Sequence, residues 1–330
     1  MNVFSIISPL IIIALTGYIS TKTKWLSREQ LDAISKFAFS LCIPVFLFYQ
    51  MSKANFSEQI SPQFFAAFYL PVLTCYFITW LISYFFYKEK QCHPELKCNS
   101  KATLNKNSGA SAVFALGASF SNTVIVGLPV LLATMGEQVI SIVFLIVTFH
   151  STMLFALTGA ITAWASSKGE ATQFDWLDFT KKTLNNPLII SILSGLAVNM
   201  LGITLPDFLQ DSLALMSKPA IPLALFILGA SLAFYQIRQE LTFISIASIN
   251  KLILLPMLVF IASQYLFKLE PLVVTVLVIL SACPTGVSAY LIAATHQQHQ
   301  KTVAGTVVLS TLACIITIPL WLNFVLQVAL

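Results

Sequence analysis

Apolar residues gather in ten long runs, at about residues 3–20, 33–51, 63–87, 111–135, 139–166, 187–205, 208–235, 241–267, 271–296 and 301–328. The charged residues collect in the short segments between them. A helix rises 1.5 Å per residue, so roughly 20 residues cross a hydrocarbon core of about 30 Å. Each run therefore predicts one membrane-crossing helix, and the chain reads as an all-α polytopic membrane protein with ten spans. The first run has no basic residue ahead of it and is longer than a signal-peptide core, so it is expected to be a retained helix.

The basic residues orient these spans. Segments after odd-numbered runs hold Lys22, Lys24, Arg28, Lys88, Lys90, Lys97, Lys101, Lys106, Lys168, Lys181, Lys182, Arg238 and Lys301, whereas those after even-numbered runs hold only Lys53 and Lys268. Lys and Arg stay on the cytoplasmic side. The odd segments are thus expected inside and both termini outside, in a cell (inner) membrane.

A short repeat then divides the chain. "IPVFLF" (43–48) in the second run returns as "IPLALF" (221–226) in the seventh. Five spans per half is an odd number, so the second half enters the membrane in the opposite sense. Residues 1–166 form one expected five-helix repeat, 167–186 a cytoplasmic connection and 187–330 the second, inverted repeat. Such inverted repeats are a hallmark of secondary transporters.

Proline punctuates the matching runs. It lacks an N–H and clashes with the carbonyl four residues back, so Pro44, Pro129, Pro222 and Pro284 should free the carbonyls of Ser40, Ile125, Lys218 and Leu280. In hydrocarbon such breaks persist only inside protein or beside a wet cavity. A harmless kink is one reading of each. The fourth and ninth runs offer more than a proline. "FSNTVIVGLP" combines Ser121, Asn122, Thr123, Gly127 and Pro129, and "SACPTGVSAY" combines Ser281, Pro284, Thr285, Gly286 and Ser288. Two antiparallel broken helices crossing at these points would aim their second halves, from near Leu128 and Thr285, at the midplane. Helix N-termini there favour an anion.

Composition removes the competing classes. The chain is 57% hydrophobic and 9% charged, with mean hydropathy +0.85, against about 25% charged in a soluble domain. The net charge of +5 sits in segments beside apolar runs and marks topology, not a nucleic-acid surface. Cys42, Cys75, Cys283 and Cys314 lie in apolar runs and read as packing residues. "CHPELKC" (92–98) supplies two thiols and one histidine without a fourth ligand, so no metal site is expected. No His-Glu-x-x-His, Gly-x-Ser-x-Gly or phosphate-binding loop is present, which argues against an enzyme or an ATP-driven pump. No cofactor is expected.

"SNTVIVGLPVLLATMGE" (121–137), "NPLIISILSGL" (186–196), "IPLALFILGASLA" (221–233), "KLILLP" (251–256) and "ACPTGVSAYLIAATH" (282–296) together resemble the auxin efflux carrier family, which includes the plant auxin carriers and malate and malonate permeases. The resemblance spans essentially the whole chain. It implies the fold of the bile-acid–sodium symporters, with inverted five-helix repeats and helices 4 and 9 crossing at prolines. It implies a homodimer in which helices 1, 2, 6 and 7 form a scaffold and helices 3–5 and 8–10 a transport domain moving elevator-fashion. Asn122 and Pro129 match the family's helix-4 crossover, and Pro284 its helix-9 crossover. The segment 167–186 is short beside the long loop of the plant members.

Charge within the runs gives the substrate its sign. The thirteen carboxylates fall between runs or at their ends, while Lys36, Lys218 and Lys251 fall inside or near them. Lys36 reads as snorkelling. Lys218, about a turn before Pro222, reads as a substrate-facing charge. Lys251 is divided between snorkelling and a structural or substrate role. His150, near the centre of the fifth run, is either a hydrogen-bonded neutral ring or a proton-coupling group. Asn199 reads as interhelical glue, and His296 and His299 as solvated. The expected function is secondary transport of a small organic anion by alternating access. Ser121, Asn122, Thr123, Thr285, Ser288 and Lys218 are its binding residues, and Gly127, Gly286, Pro44, Pro129, Pro222 and Pro284 its shaping residues. An anion channel or a membrane substrate sensor on the same broken helices is the alternative.

Overall fold

The computed structural model describes residues 3–53, 61–91, 101–166, 187–234 and 240–328. The connection 167–186, "CHPELKC" and Arg238 lie outside them. Every element named among the described residues is a helix: α1 (Val3–Lys22), α2 (Arg28–Lys53), α3 (Pro62–Gln91), α4a (Lys101–Ser119), α4b (Thr123–Met135), α5 (Ile140–Ser166), α6 (Pro187–Met200), α7a (Asp207–Ser217), α7b (Ala220–Leu232), α8 (Leu241–Leu266), α9a (Pro271–Ala282), α9b (Val287–Thr295) and α10 (Gln300–Val328). Among the described residues, six stretches are long and apolar enough to cross a membrane: Arg28–Lys53, Pro62–Phe86, Glu137–Thr162, Asp207–Leu232, Leu241–Leu266 and Gln300–Val328. The described residues contain no strand, only one isolated bridge between Ser121 and Thr285.

Local chemistry explains the ends and the irregularities. α2 begins five residues before its apolar run because Ser27 and Gln30 form a reciprocal cap: Gln30 N–H donates to Ser27 Oγ (3.2 Å) and Ser27 N–H to Gln30 Oε1 (2.9 Å). Three wide turns, at Ala38–Cys42, Thr123–Gly127 and Asn250–Leu254, each end two residues before a proline, Pro44, Pro129 and Pro256, whereas a fourth, at Ala262–Leu266, has no proline so placed. At Pro44 and Pro256 the residue ahead reaches five residues back, Ile43 N–H to Ala38 O and Leu255 N–H to Asn250 O. The proline ring displaces the carbonyl four residues upstream, and the helix widens to absorb the offset. The carbonyl freed by Pro256, that of Leu252, accepts from Trp321 Nε1 at 2.9 Å. Pro222 differs. It stands in the first turn of α7b, after the interruption at Lys218 and Pro219, where its missing N–H costs nothing.

The chain folds as two compact units. The first takes described residues from Met1–Ser61, Thr123–Thr148 and Thr180–Tyr235. Its frame is two glycine seams. A Cβ on Gly229 of α7b would lie 1.7 Å from Ala14 O of α1, and one on Gly17 of α1 would lie 2.1 Å from Phe226 O of α7b. In the same way a Cβ on Gly195 of α6 would lie 2.6 Å from Phe48 O of α2. Small residues let membrane helices touch backbone to backbone. Asn199 of α6 donates to Ser52 O of α2 at 3.0 Å, the interhelical tie expected of it.

The second unit takes described residues from Pro62–Asn122, Phe149–Phe179 and Gln236–Leu330. α9a is its centre, with every residue from Val273 to Ala282 buried. Tyr76 of α3 ties two neighbours, donating to Ala112 O of α4a (3.2 Å) and pairing with the Thr158 hydroxyl of α5 (2.9 Å). Between α9b and α10, His299 is half-buried against Phe114, not solvated, and burial pushes its imidazole down to about 4.

Candidate functional site

The site lies in the second unit, where α4 and α9 both stop being helical. α4a ends at Ser119 and α9a at Ala282, and Cys283 is already extended (φ −60°, ψ 149°). The two gaps then pair like a fragment of antiparallel sheet. Asn122 N–H donates to Pro284 O (2.8 Å), Gly286 N–H donates to Phe120 O (3.1 Å), and Ser121 faces Thr285 across the bridge. Each break thus satisfies backbone groups that the other leaves open, which is what hydrocarbon demands.

Two further backbone N–H groups of the crossing are taken by side chains. Ser121 N–H donates to His150 Nε2 (3.0 Å), and Thr285 N–H to Ser310 Oγ of α10 (3.0 Å). Thr285 Oγ1 donates to Gly117 O (2.8 Å), in the last turn of α4a. Because His150 Nε2 accepts, the neutral ring carries its proton on Nδ1. The ring is fully buried, stacked on Phe120 with centroids 5.1 Å apart and edge-on to Phe68 at 5.6 Å.

Among the described residues, four buried polar groups at this crossing have no hydrogen-bond partner: Ser119 Oγ, Ser121 Oγ, Asn122 Nδ2 and His150 Nδ1. Each costs about 1–3 kcal/mol when left so. Ser119, Ser121 and Asn122 are at most 5% exposed. All four can donate a hydrogen bond.

α8 supplies the other half of the electrostatics. Asn250 Nδ2 donates to Ala118 O at 2.9 Å, and Lys251 Nζ donates to Ser281 O. Lys251 is fully buried, so of its two sequence readings snorkelling is excluded.

Ser121, Asn122, Thr285, Pro284, Gly286 and His150 therefore come together. Ser288 is exposed on the first turn of α9b. Thr123, Gly127 and Pro129 belong to α4b and fall in the first unit, as do Pro44, Pro222 and the exposed Lys218 at the end of α7a. One expectation is corrected. The break in helix 4 is at Phe120–Asn122 and not at Pro129, and α9b begins at Val287. Pro129 falls where α4b has already started and is absorbed by the wide turn before it, whereas pairing with the other strand sets the break itself. Asn250, Ser310 and Phe120 were not singled out in the sequence. The tandem polar pair Asn250-Lys251, near the middle of an apolar run and followed by Pro256, was the available signal.

A family model described as "Membrane transport protein" matches residues 2–322. The chain is 25% identical over 216 residues to a "Putative malonate transporter" of Rhizobium meliloti (strain 1021), covering 65% of this chain and 68% of that one. It is 24% identical over 318 residues to the "Uncharacterized transporter YfdV" of Escherichia coli (strain K12), covering 95% of both. It is also 25% identical over 316 residues to the "Uncharacterized transporter MJ1031" of Methanocaldococcus jannaschii, covering 94% of this chain and 95% of that one.

Proposed function

The chain belongs to the membrane transport protein family, the auxin efflux carriers, and on that footing we propose that it is a secondary transporter of a small organic anion, with the α4–α9 crossing as its binding site. One observation carries this reading. Two helices break at the same point, and buried donors that have no partner among the described residues, Asn122 Nδ2 and Ser121 Oγ, lie at it. A carboxylate supplies acceptors and negative charge in the same group, and helix N-termini favour it. The name of the Rhizobium relative makes malonate the first probe.

The proposal extends to how the molecule moves. Its ten spans form inverted five-helix repeats, with both termini outside a cell membrane. The seams support this: Gly17 of α1 rests on the Phe226 carbonyl, Gly195 of α6 rests on the Phe48 carbonyl, and Phe48 and Phe226 both close the "IPxxLF" repeat. α1, α2, α6 and α7 act as the scaffold of a homodimer, bound backbone to backbone, and the crossing travels with an elevator domain. α4b packs on α1 in the first unit, and the elevator step slides along that contact.

The test is uptake of labelled malonate, malate and indole-3-acetate into proteoliposomes, with counterflow. Saturable uptake with counterflow is expected, and Asn122→Ala should reduce it at least about tenfold, the equivalent of one buried hydrogen bond to a charged group. Non-saturating flux would make the protein a channel, and binding without flux a sensor.

A further inference from the structure

We propose that Lys251 is the residue that fixes the sign of the transported ion, and that its neighbour Asn250 is a positioning residue for the crossing. This rests on the reading of the α4–α9 crossing as the binding site.

A helix break has two ends of opposite polarity. The N-terminus of α9b carries partial positive charge, but the C-termini of α4a and α9a carry partial negative charge at the same crossing. The two cancel unless something neutralises the carbonyl ends. α8 does so with two consecutive side chains. Its wide turn at Asn250–Leu254 turns Asn250 to Ala118 O, in the last turn of α4a, and Lys251 to Ser281 O, in the last turn of α9a. In a regular helix, consecutive residues point about 100° apart, and here they serve two different helices.

The two caps are not equivalent. Asn250 is neutral and supplies position only. Lys251 adds a full positive charge, fully buried, and makes a single hydrogen bond among the described residues. Among the described residues, the ionisable groups around it are the thiols of Cys75, Cys283 and Cys314 and the His150 imidazole, with no carboxylate. The described carboxylates closest in sequence, Glu240 and Glu270, stand at the far ends of α8 and α9a. A buried ammonium without a counter-ion is expensive, and an anionic substrate at the crossing is the group that offsets it.

The experiment measures malonate uptake by proteoliposomes bearing wild type, Lys251→Met, Lys251→Gln, Lys251→Arg and Asn250→Ala, with the thermal midpoint of each purified protein. Lys251→Met and Lys251→Gln are expected to raise KM about tenfold, the effect of one unit charge about 10 Å away at an effective dielectric of about 20, without lowering the midpoint. Lys251→Arg is expected to keep KM within about threefold, because it keeps the charge. Asn250→Ala is expected to lower Vmax at unchanged KM. An unchanged KM in both neutral variants overturns the proposal, as does a rise in Lys251→Arg equal to theirs. Failure of both neutral variants to fold also overturns it, since Lys251 would then be structural. If wild type itself takes up none of malonate, malate and indole-3-acetate saturably, the binding-site reading falls, and this inference with it.

Discussion

Gly229 and Gly286 both lack room for a methyl group, but what fills the space differs. At Gly229 a Cβ would meet the backbone carbonyl of Ala14 at 1.7 Å, in the seam of α1 and α7b. At Gly286 it would meet the ring of Phe120 at 2.5 Å, in the crossing of α4 and α9. A backbone cannot yield without parting two helices, whereas a ring can turn. The seam is closed by apolar contact over many residues. The crossing is two residues of strand pairing held by polar side chains, with four donors left over. Rigidity is built into one region and adaptable polarity into the other.

The comparison can be broken at its extremes. Gly229→Val should abolish recovery of folded protein, because the helices must separate by more than core overpacking usually tolerates; size-exclusion chromatography in detergent is the check. Gly286→Ala should leave the protein folded and reduce transport about tenfold or more, by turning Phe120 away from Gly286 and from the His150 ring it stacks on. Equal damage to folding from both substitutions would erase the distinction.

Smaller changes sharpen it. Ser310→Ala removes the acceptor of the Thr285 N–H and should lower stability by about 1–3 kcal/mol, the cost of a buried unsatisfied donor. In the seam unit, Asn199→Ala removes the bond to Ser52 O and should cost only about 0.6 kcal/mol, the usual worth of a polar tie between membrane helices. The remaining effect is one of pH and concerns His299. Its folded pKa of about 4 lies below the ordinary 6.5, so burial favours the neutral ring, while the Glu240 carboxylate pulls the other way. The associated stability is complete above pH 6.5 and is lost as pH falls toward 4. His299→Gln should flatten that acid limb of the thermal midpoint by about 1 kcal/mol.

The all-helical class and several of the helices were legible because hydrophobic runs follow from lipid as solvent. Helices stand on the runs at 241–267 and 301–328 almost residue for residue. Ser121, Asn122, Thr285 and Gly286 could be read as one site because breakers and small polar residues recur in the fourth and ninth runs. The position of the helix-4 break could not. Proline chemistry pointed to Pro129, but the break is set by hydrogen bonds from Asn122 to Pro284 and from Gly286 to Phe120, partners more than 150 residues apart. Asn250 was missed for the same reason, since its acceptor, Ala118 O, is on another helix. Contacts of that range leave no local pattern.

The central claim is that an anion binds where the two broken helices pair. Its most direct measurement is the location of a heavy-atom carboxylate, such as bromomalonate, by difference density in the purified protein. Density within hydrogen-bonding reach of Asn122 Nδ2 and Ser121 Oγ is the predicted result. Density at another place, with the Phe120–Asn122 segment remote from it, would contradict the account.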